Sequence, residues 1–303
     1  MNQREKLDRF RGRKNYYENI IFYSYKTSEY DHVNQHEMDR LEHSISSLRE
    51  FNNEIPVYLF CDDTTIVPHN FILEYSVRVE PFEDGFDHNM LNAWSIHRWY
   101  NLRYFKDESY NILYVDSDTV FYADVQYLFD TYCQFDVYGR EEFGFRFDPN
   151  TGGGKGIRER LDAIESCMYD LGGRNPIYKY CLGVILLNDN LHKLIVANLD
   201  KLSKLMEEFK KGETFLPIPN PRIVDEYAVW ITLSRLGVDC GLFAVQDVTQ
   251  GFVEEKHKEF FNPIVLHYTT KKEQKFAASD EKYSNLLRDV DEFGEEIDPY
   301  IVL

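Results

Sequence analysis

Cysteine is scarce, uninterrupted apolar runs are short and basic residues are outnumbered, and each shortage narrows what this chain of 303 residues can do. The five cysteines, Cys61, Cys133, Cys167, Cys181 and Cys240, are odd in number, widely spaced and without a CxxC pair. That argues against a disulfide framework and a zinc cluster, and fits a reducing compartment such as the cytoplasm. The longest apolar run, around residues 184–187, falls far short of the ~20 residues that cross a bilayer. The N-terminal stretch is charged with no apolar segment behind it, so it does not read as a signal peptide. Its basic cluster, from Arg4 to Lys14, leaves peripheral contact with anionic lipid open. With 52 acidic against 34 basic side chains, the net charge of −18 excludes a general nucleic-acid binder, because nothing in that balance neutralises a phosphate backbone.

Aromatic residues, in contrast, are abundant: 22 Tyr, 22 Phe and 3 Trp supply core volume and stacking platforms. The 43% hydrophobic and 28% charged composition is that of a globular protein able to bury a full core. Neither an internal repeat nor a clear linker is visible. The expectation is one domain over 1–303, with a regular half at about 18–145, an elaborated half at about 146–276 and a charged tail at 277–303.

The pattern along the chain is β-α-β. Strands are expected at 20–25, 57–61, 77–79, 111–115, 135–139, 183–188 and 264–268. Helices are expected from the Asn34–Glu37 capping signal through Met38, Leu41, Ile45 and Leu48, and over 88–105, 191–211 and 224–236, with another ending near 171. Such alternation predicts an α/β fold with a mainly parallel sheet flanked by helices, whose ligands bind beyond the carboxyl ends of the strands.

Polar residues at those ends therefore carry the argument, above all Asp116-Ser117-Asp118 after the apolar strand 111–115. Residues i and i+2 share a strand face, so both carboxylates can point at one site. Two like charges there repel unless a cation lies between them, and hard oxygen ligands suit Mg²⁺ or Mn²⁺. The plain alternative is a turn cap beside a solvated acid. An EF-hand fails, because Val120, Phe121 and Tyr127 stand where its ligand, Gly and Glu should be. A haloacid-dehalogenase-like phosphatase would match strand-DxDxV literally, but that motif opens its family's fold, whereas several β-α elements precede it here. The Gly-rich loop at 151–156 lacks the pattern of a P-loop and reads as a lid or a surface loop. His32 and His36 are four apart without a third ligand, so zinc is not expected there.

The run of motifs resembles the GT-A glycosyltransferases, most closely family eight, which contains glycogenin and the bacterial lipopolysaccharide galactosyltransferases. The resemblance rests on five pieces in order across about 20–276: His97-Arg98-Trp99-Tyr100, Tyr114-Val115-Asp116-Ser117-Asp118, the strand from Tyr180 through Gly183 to Asn188, Asp225-Glu226-Tyr227, and Leu266-His267-Tyr268-Thr269-Thr270-Lys271-Lys272. Two departures stand out: Cys181-Leu182 replaces an amide expected before Gly183, and Thr270 replaces a late Gly with no Lys-Pro after it.

This resemblance implies metal-dependent transfer of a sugar, with retention, from a UDP- or GDP-sugar to a glycan or other hydroxyl acceptor. It implies that Asp116, Asp118 and His267 hold Mn²⁺ or Mg²⁺ on the diphosphate and that Lys271 or Lys272 supplies a second cation. Arg98 would contact the donor, or else pair with a nearby carboxylate. Ser117 and Gly183 would line the donor site. Asp225 would border the anomeric carbon and orient the acceptor or stabilise the oxocarbenium-like centre, or else Asp225 or Glu226 would act as a base on the acceptor with inversion, although acids also suit a helix start. Asp62 and Asp63 are placed to receive base or ribose or to begin a turn, and Tyr23 and Tyr25 to stack on the base or fill the core. A non-catalytic GT-A-like binding protein stays as the remaining alternative.

Overall fold

Alternation along the first strand decides the layering. In β1 (Glu18–Tyr25), Ile20 and Phe22 face one core while Ile21, Tyr23 and Tyr25 face the other, and all five are buried. A strand covered on both faces is apolar without alternation, as the buried centre of this one is over 20–23. The computed structural model describes residues 17–25, 31–62, 67, 69–82, 93–141, 180–211, 224–244, 246–250 and 263–267.

On one side of β1 lie β2 (Val57–Cys61) and then β3 (Val77–Pro81), both parallel. On its other side lies β4 (Tyr110–Val115), also parallel. The chain then adds β5 (Thr119–Phe121), β6 (Val137–Glu141), β7 (Tyr180–Leu187), β8 (Cys240–Leu242), β9 (Val248–Gln250) and β10 (Val265–His267). The main sheet has seven strands in the order β3-β2-β1-β4-β7-β6-β8, and a small sheet runs β5-β10-β9. The main sheet is mostly parallel, as expected, but β7 runs antiparallel to both β4 and β6. That reversal matters for function, because it carries the start of β7 to the carboxyl end of β4.

One face is covered by α3 (Ala93–Asn101), the 3₁₀ turn Leu102–Phe105, α5 (Leu191–Val196), α6 (Leu199–Lys211) and α7 (Val224–Arg235). The other is covered by α1 (Asp31–Phe51), α2 (His69–Tyr75), α4 (Gln126–Thr131) and the small sheet. Leu41, Ile45 and Leu48 of α1 recur at i, i+4 and i+7 and are fully buried, which is why this helix lies along the sheet.

Several boundaries differ from expectation for physical reasons. Helix α1 starts at Asp31, so the Asn34–Glu37 signal lies within it and does not begin it. The helix expected over 191–211 is two, broken where the Asn198 amide donates back to the Leu194 carbonyl at 2.8 Å and so competes with helical backbone. The elements α2, α4, β5, β8 and β9 are too short for periodicity to reveal. The Gly-rich loop at 151–156, the helix expected before 171 and the tail lie outside the described residues.

Because the chain moves outward from β1 to β3 and returns to β4 on the opposite side of β1, the strand order reverses between β1 and β4. A crevice opens at such a switch point, beyond the carboxyl ends of the strands. Asp116 is the first residue after β4, so topology alone puts the acidic motif there.

The C-terminal end of α1 is tied down by Arg49, whose buried guanidinium donates to the carbonyls of Tyr75 (2.7 Å), Ile55 (2.8 Å), Asn52 (3.1 Å) and Ser76 (3.3 Å). Removing a charged donor from buried carbonyls leaves them unsatisfied. Arg49→Met is expected to lower stability by about 2–3 kcal/mol in urea denaturation; an unchanged midpoint would contradict this role.

Candidate active site

Three strand pairings build the site. The first is β4 with β7, which aligns Val115 with Val184 and lets the Asp116 N–H donate to the Gly183 carbonyl at 2.8 Å. The second is β5 with β10, which sets His267 opposite Thr119. The third is β10 with β9, which holds β10 from its other edge. Asp116, Asp118 and His267 are thereby gathered so that one ligand atom from each lies within 4.8 Å of the others. His267 Nε2 is 3.2 Å from Asp118 Oδ1 and 3.7 Å from Asp116 Oδ2.

Gly183 makes this approach possible. A Cβ built there would lie 2.1, 2.3 and 2.6 Å from the His267 ring atoms Cε1, Nε2 and Nδ1. No real side chain fits, so the ring occupies space that only glycine leaves open.

The two carboxylates are held differently. Asp116 Oδ1 accepts from the Tyr114 hydroxyl and lies 3.4 Å from Arg98 Nη1, so Oδ2 is the oxygen turned toward His267. Burial keeps the Tyr114 phenol well above its ordinary range despite the Arg98 charge over its ring, and it therefore acts as a donor. Arg98 also donates to the Leu182 carbonyl at 3.0 Å and is itself buried. The carboxylate pairing weighed for Arg98 in the sequence thus has a named partner. Burial opposes ionisation of Asp118, but the charges of His267 and Arg40 outweigh it and hold the carboxyl below its ordinary range.

Two carboxylates and an imidazole form a donor set suited to a divalent metal. Adjacent ligands of an ion with bonds of about 2.1 Å stand about 3 Å apart. The separations of 3.2 and 3.7 Å are close to that arrangement. The residues present therefore fit the cation that the acidic motif calls for.

The remaining expected site residues fall in several places. Ser117 is half-buried between the two acids, and Asp62 is half-buried just after β2, beyond the same end of the sheet. Tyr25 and Tyr23 are 4% and 1% exposed and pack in the α1 core, with the Tyr23 hydroxyl 3.0 Å from Ser44 Oγ. Asp225 and Glu226 open α7, which the Pro-rich stretch ahead of it had suggested, but their side chains lie outside the described set. Lys271 and Lys272 also lie outside it. Sequence reasoning missed Tyr114 and Arg40. The i, i+2 spacing from Tyr114 to Asp116 was the available signal for the first.

The contact between Gly183 and His267 predicts strong coupling. Gly183→Ala and His267→Ala should each weaken Mn²⁺ binding at least tenfold by isothermal titration, and the double variant should be little worse than either single one. Additive losses would show that the two residues act separately.

No family model matches the sequence, and no curated protein matches it in sequence. Its backbone is nevertheless similar to that of solved glycosyltransferases. The galactosyltransferase LgtC, solved in complex with donor and acceptor sugar analogs, superposes with a TM-score of 0.52 at 14% identity, covering 89% of this chain and 100% of that one. WbbM, a bifunctional glycosyltransferase, superposes at 0.52 with 12% identity over 84% of this chain and 46% of its own. The glycosyltransferase GlyE of Streptococcus pneumoniae TIGR4 gives 0.50 with 13% identity over 91% and 65%. At these identities the likeness establishes the architecture, and the chain has the GT-A glycosyltransferase fold.

Proposed function

We propose that this protein is a glycosyltransferase that moves a sugar from a nucleoside diphosphate sugar to a hydroxyl acceptor. The observation that carries the reading is the Asp116, Asp118 and His267 group, which stands at the switch point of a GT-A sheet. LgtC, a structural neighbour, was solved with donor and acceptor sugar analogs, which supports a donor and an acceptor for this chain as well.

In this reading Asp116 and Asp118, as carboxylates, and His267, through the Nε2 lone pair, hold Mn²⁺ or Mg²⁺. An ion held there would supply positive charge to the departing diphosphate, an effect larger in the transition state than in the ground state. Arg98 and Tyr114 fix the Asp116 carboxylate so that it need not reorganise when the donor arrives. Ser117 and Gly183 line the donor side, and Asp62 receives the ribose or base, whereas Tyr25 and Tyr23 are spent on the α1 core and do not stack on the base. Lys271 or Lys272 provides a second cation for the leaving diphosphate. Asp225, with Glu226, orients the acceptor hydroxyl or steadies the positive anomeric centre, and the family resemblance points to retained configuration and a glycan acceptor. Among the described residues no helix is long and apolar enough to cross a membrane. The phosphatase alternative draws no support from the fold, since the acidic motif follows its fourth strand.

The test is turnover of a panel of UDP- and GDP-sugars, read as nucleotide release with and without an acceptor. Release is expected with Mn²⁺ or Mg²⁺. It should fall at least a hundredfold with EDTA or in Asp118→Asn. Activity that ignores both changes would contradict the proposal. Phosphate release from simple phosphomonoesters would favour the phosphatase, and stable folding without any nucleotide binding would favour a non-catalytic GT-A protein.

A further inference from the structure

Behind the acidic turn lies a buried row of hydroxyl groups that the proposed chemistry does not use. Thr119 Oγ1 donates to the Asp116 carbonyl at 2.9 Å. Its single proton is thereby committed, so at its 2.8 Å contact with Ser44 Oγ it must accept. Ser44 in turn spends its proton on Thr119, so at 3.0 Å it accepts from the Tyr23 hydroxyl. The chain has one direction: Tyr23 to Ser44 to Thr119 to the Asp116 carbonyl. Burial raises the Tyr23 phenol far above its ordinary range, which keeps it in the donor form that this order needs. All three residues are at most 1% exposed, so water does not compete for these bonds.

The same helix face acts on this segment in two more ways. Arg40, Ser44 and Ser47 recur at i, i+4 and i+7 along α1, beside the apolar Leu41, Ile45 and Leu48. Ser47 Oγ accepts from the Phe121 N–H at 3.0 Å, and Arg40 acts electrostatically on Asp118. Helix α1 thus meets the chain at 119 and 121, in the strand that leaves the acidic turn, and its Arg40 charge acts on the turn itself.

We propose that Thr119 is a positioning residue for the metal site, setting the Asp116–Asp118 turn through the ordered chain Tyr23→Ser44→Thr119→Asp116 carbonyl and so registering both carboxylates against α1. The proposal rests on the metal-binding reading of Asp116, Asp118 and His267. It also gives Tyr23 a role quite different from stacking on a base. Outer partners of metal ligands typically govern affinity by tenfold or more, because they fix ligand direction before the ion arrives.

The test uses the full-length protein and Mn²⁺ alone, titrated calorimetrically well below the melting temperature. Thr119→Val keeps shape and removes both hydrogen bonds, and should weaken Mn²⁺ binding about tenfold. Thr119→Ser restores the hydroxyl and should stay within about twofold of wild type. Ser44→Ala and Tyr23→Phe shorten the chain from its far end and should give intermediate losses; they carry the same test if Thr119→Val does not fold. A lower melting temperature with unchanged Mn²⁺ affinity in all the variants would show a structural role only and overturn the proposal. Absence of Mn²⁺ binding by the wild-type chain would overturn the metal reading and the positioning role together.

Discussion

The repulsion between two carboxylates placed two residues apart is the constraint around which this structure is arranged. Left alone, Asp116 and Asp118 would turn away from each other or take up protons. Instead, Asp116 is anchored on one oxygen by Tyr114 and Arg98, and the half-buried Asp118 is kept ionised by His267 and Arg40. Four elements supply those restraints: β4, α3, β10 and α1. The acidic turn is therefore where both layers of the fold and both sheets meet.

Backbone pairing performs the assembly. The antiparallel course of β7 is needed to bring Gly183 beside Asp116, and the β5-β10 pairing is needed to deliver His267 across from Thr119. Neither arrangement would work with a larger residue at 183, since the imidazole occupies the volume of its side chain. A single glycine thus links the main sheet to the small one at the point where a divalent cation fits.

Much of this was legible from the sequence and some was not, for reasons that can be stated residue by residue. Continuous apolar strands ending in acids, as in 112–115 followed by Asp116, announce a buried parallel sheet whose carboxyl ends carry polar groups. His267 was legible only through the order of motifs, because a three-residue strand has no periodicity of its own. The direction of β7 was hidden, since an apolar run reads alike in parallel and antiparallel company. The serines of α1 were hidden for another reason: small polar residues on a helix usually face solvent, and only the fold reveals Ser44 and Ser47 turned inward on β5. Tyr114 passes for core until its hydroxyl is found on Asp116.

The central claim is that these residues form one cation site. Anomalous scattering from crystals of the full-length protein soaked in Mn²⁺ tests it most directly. The account predicts one strong peak about 2.0–2.3 Å from carboxylate oxygens of Asp116 and Asp118 and from His267 Nε2, lost in Asp118→Asn. A peak bound elsewhere, or no peak at the switch point with the three side chains intact, would contradict it.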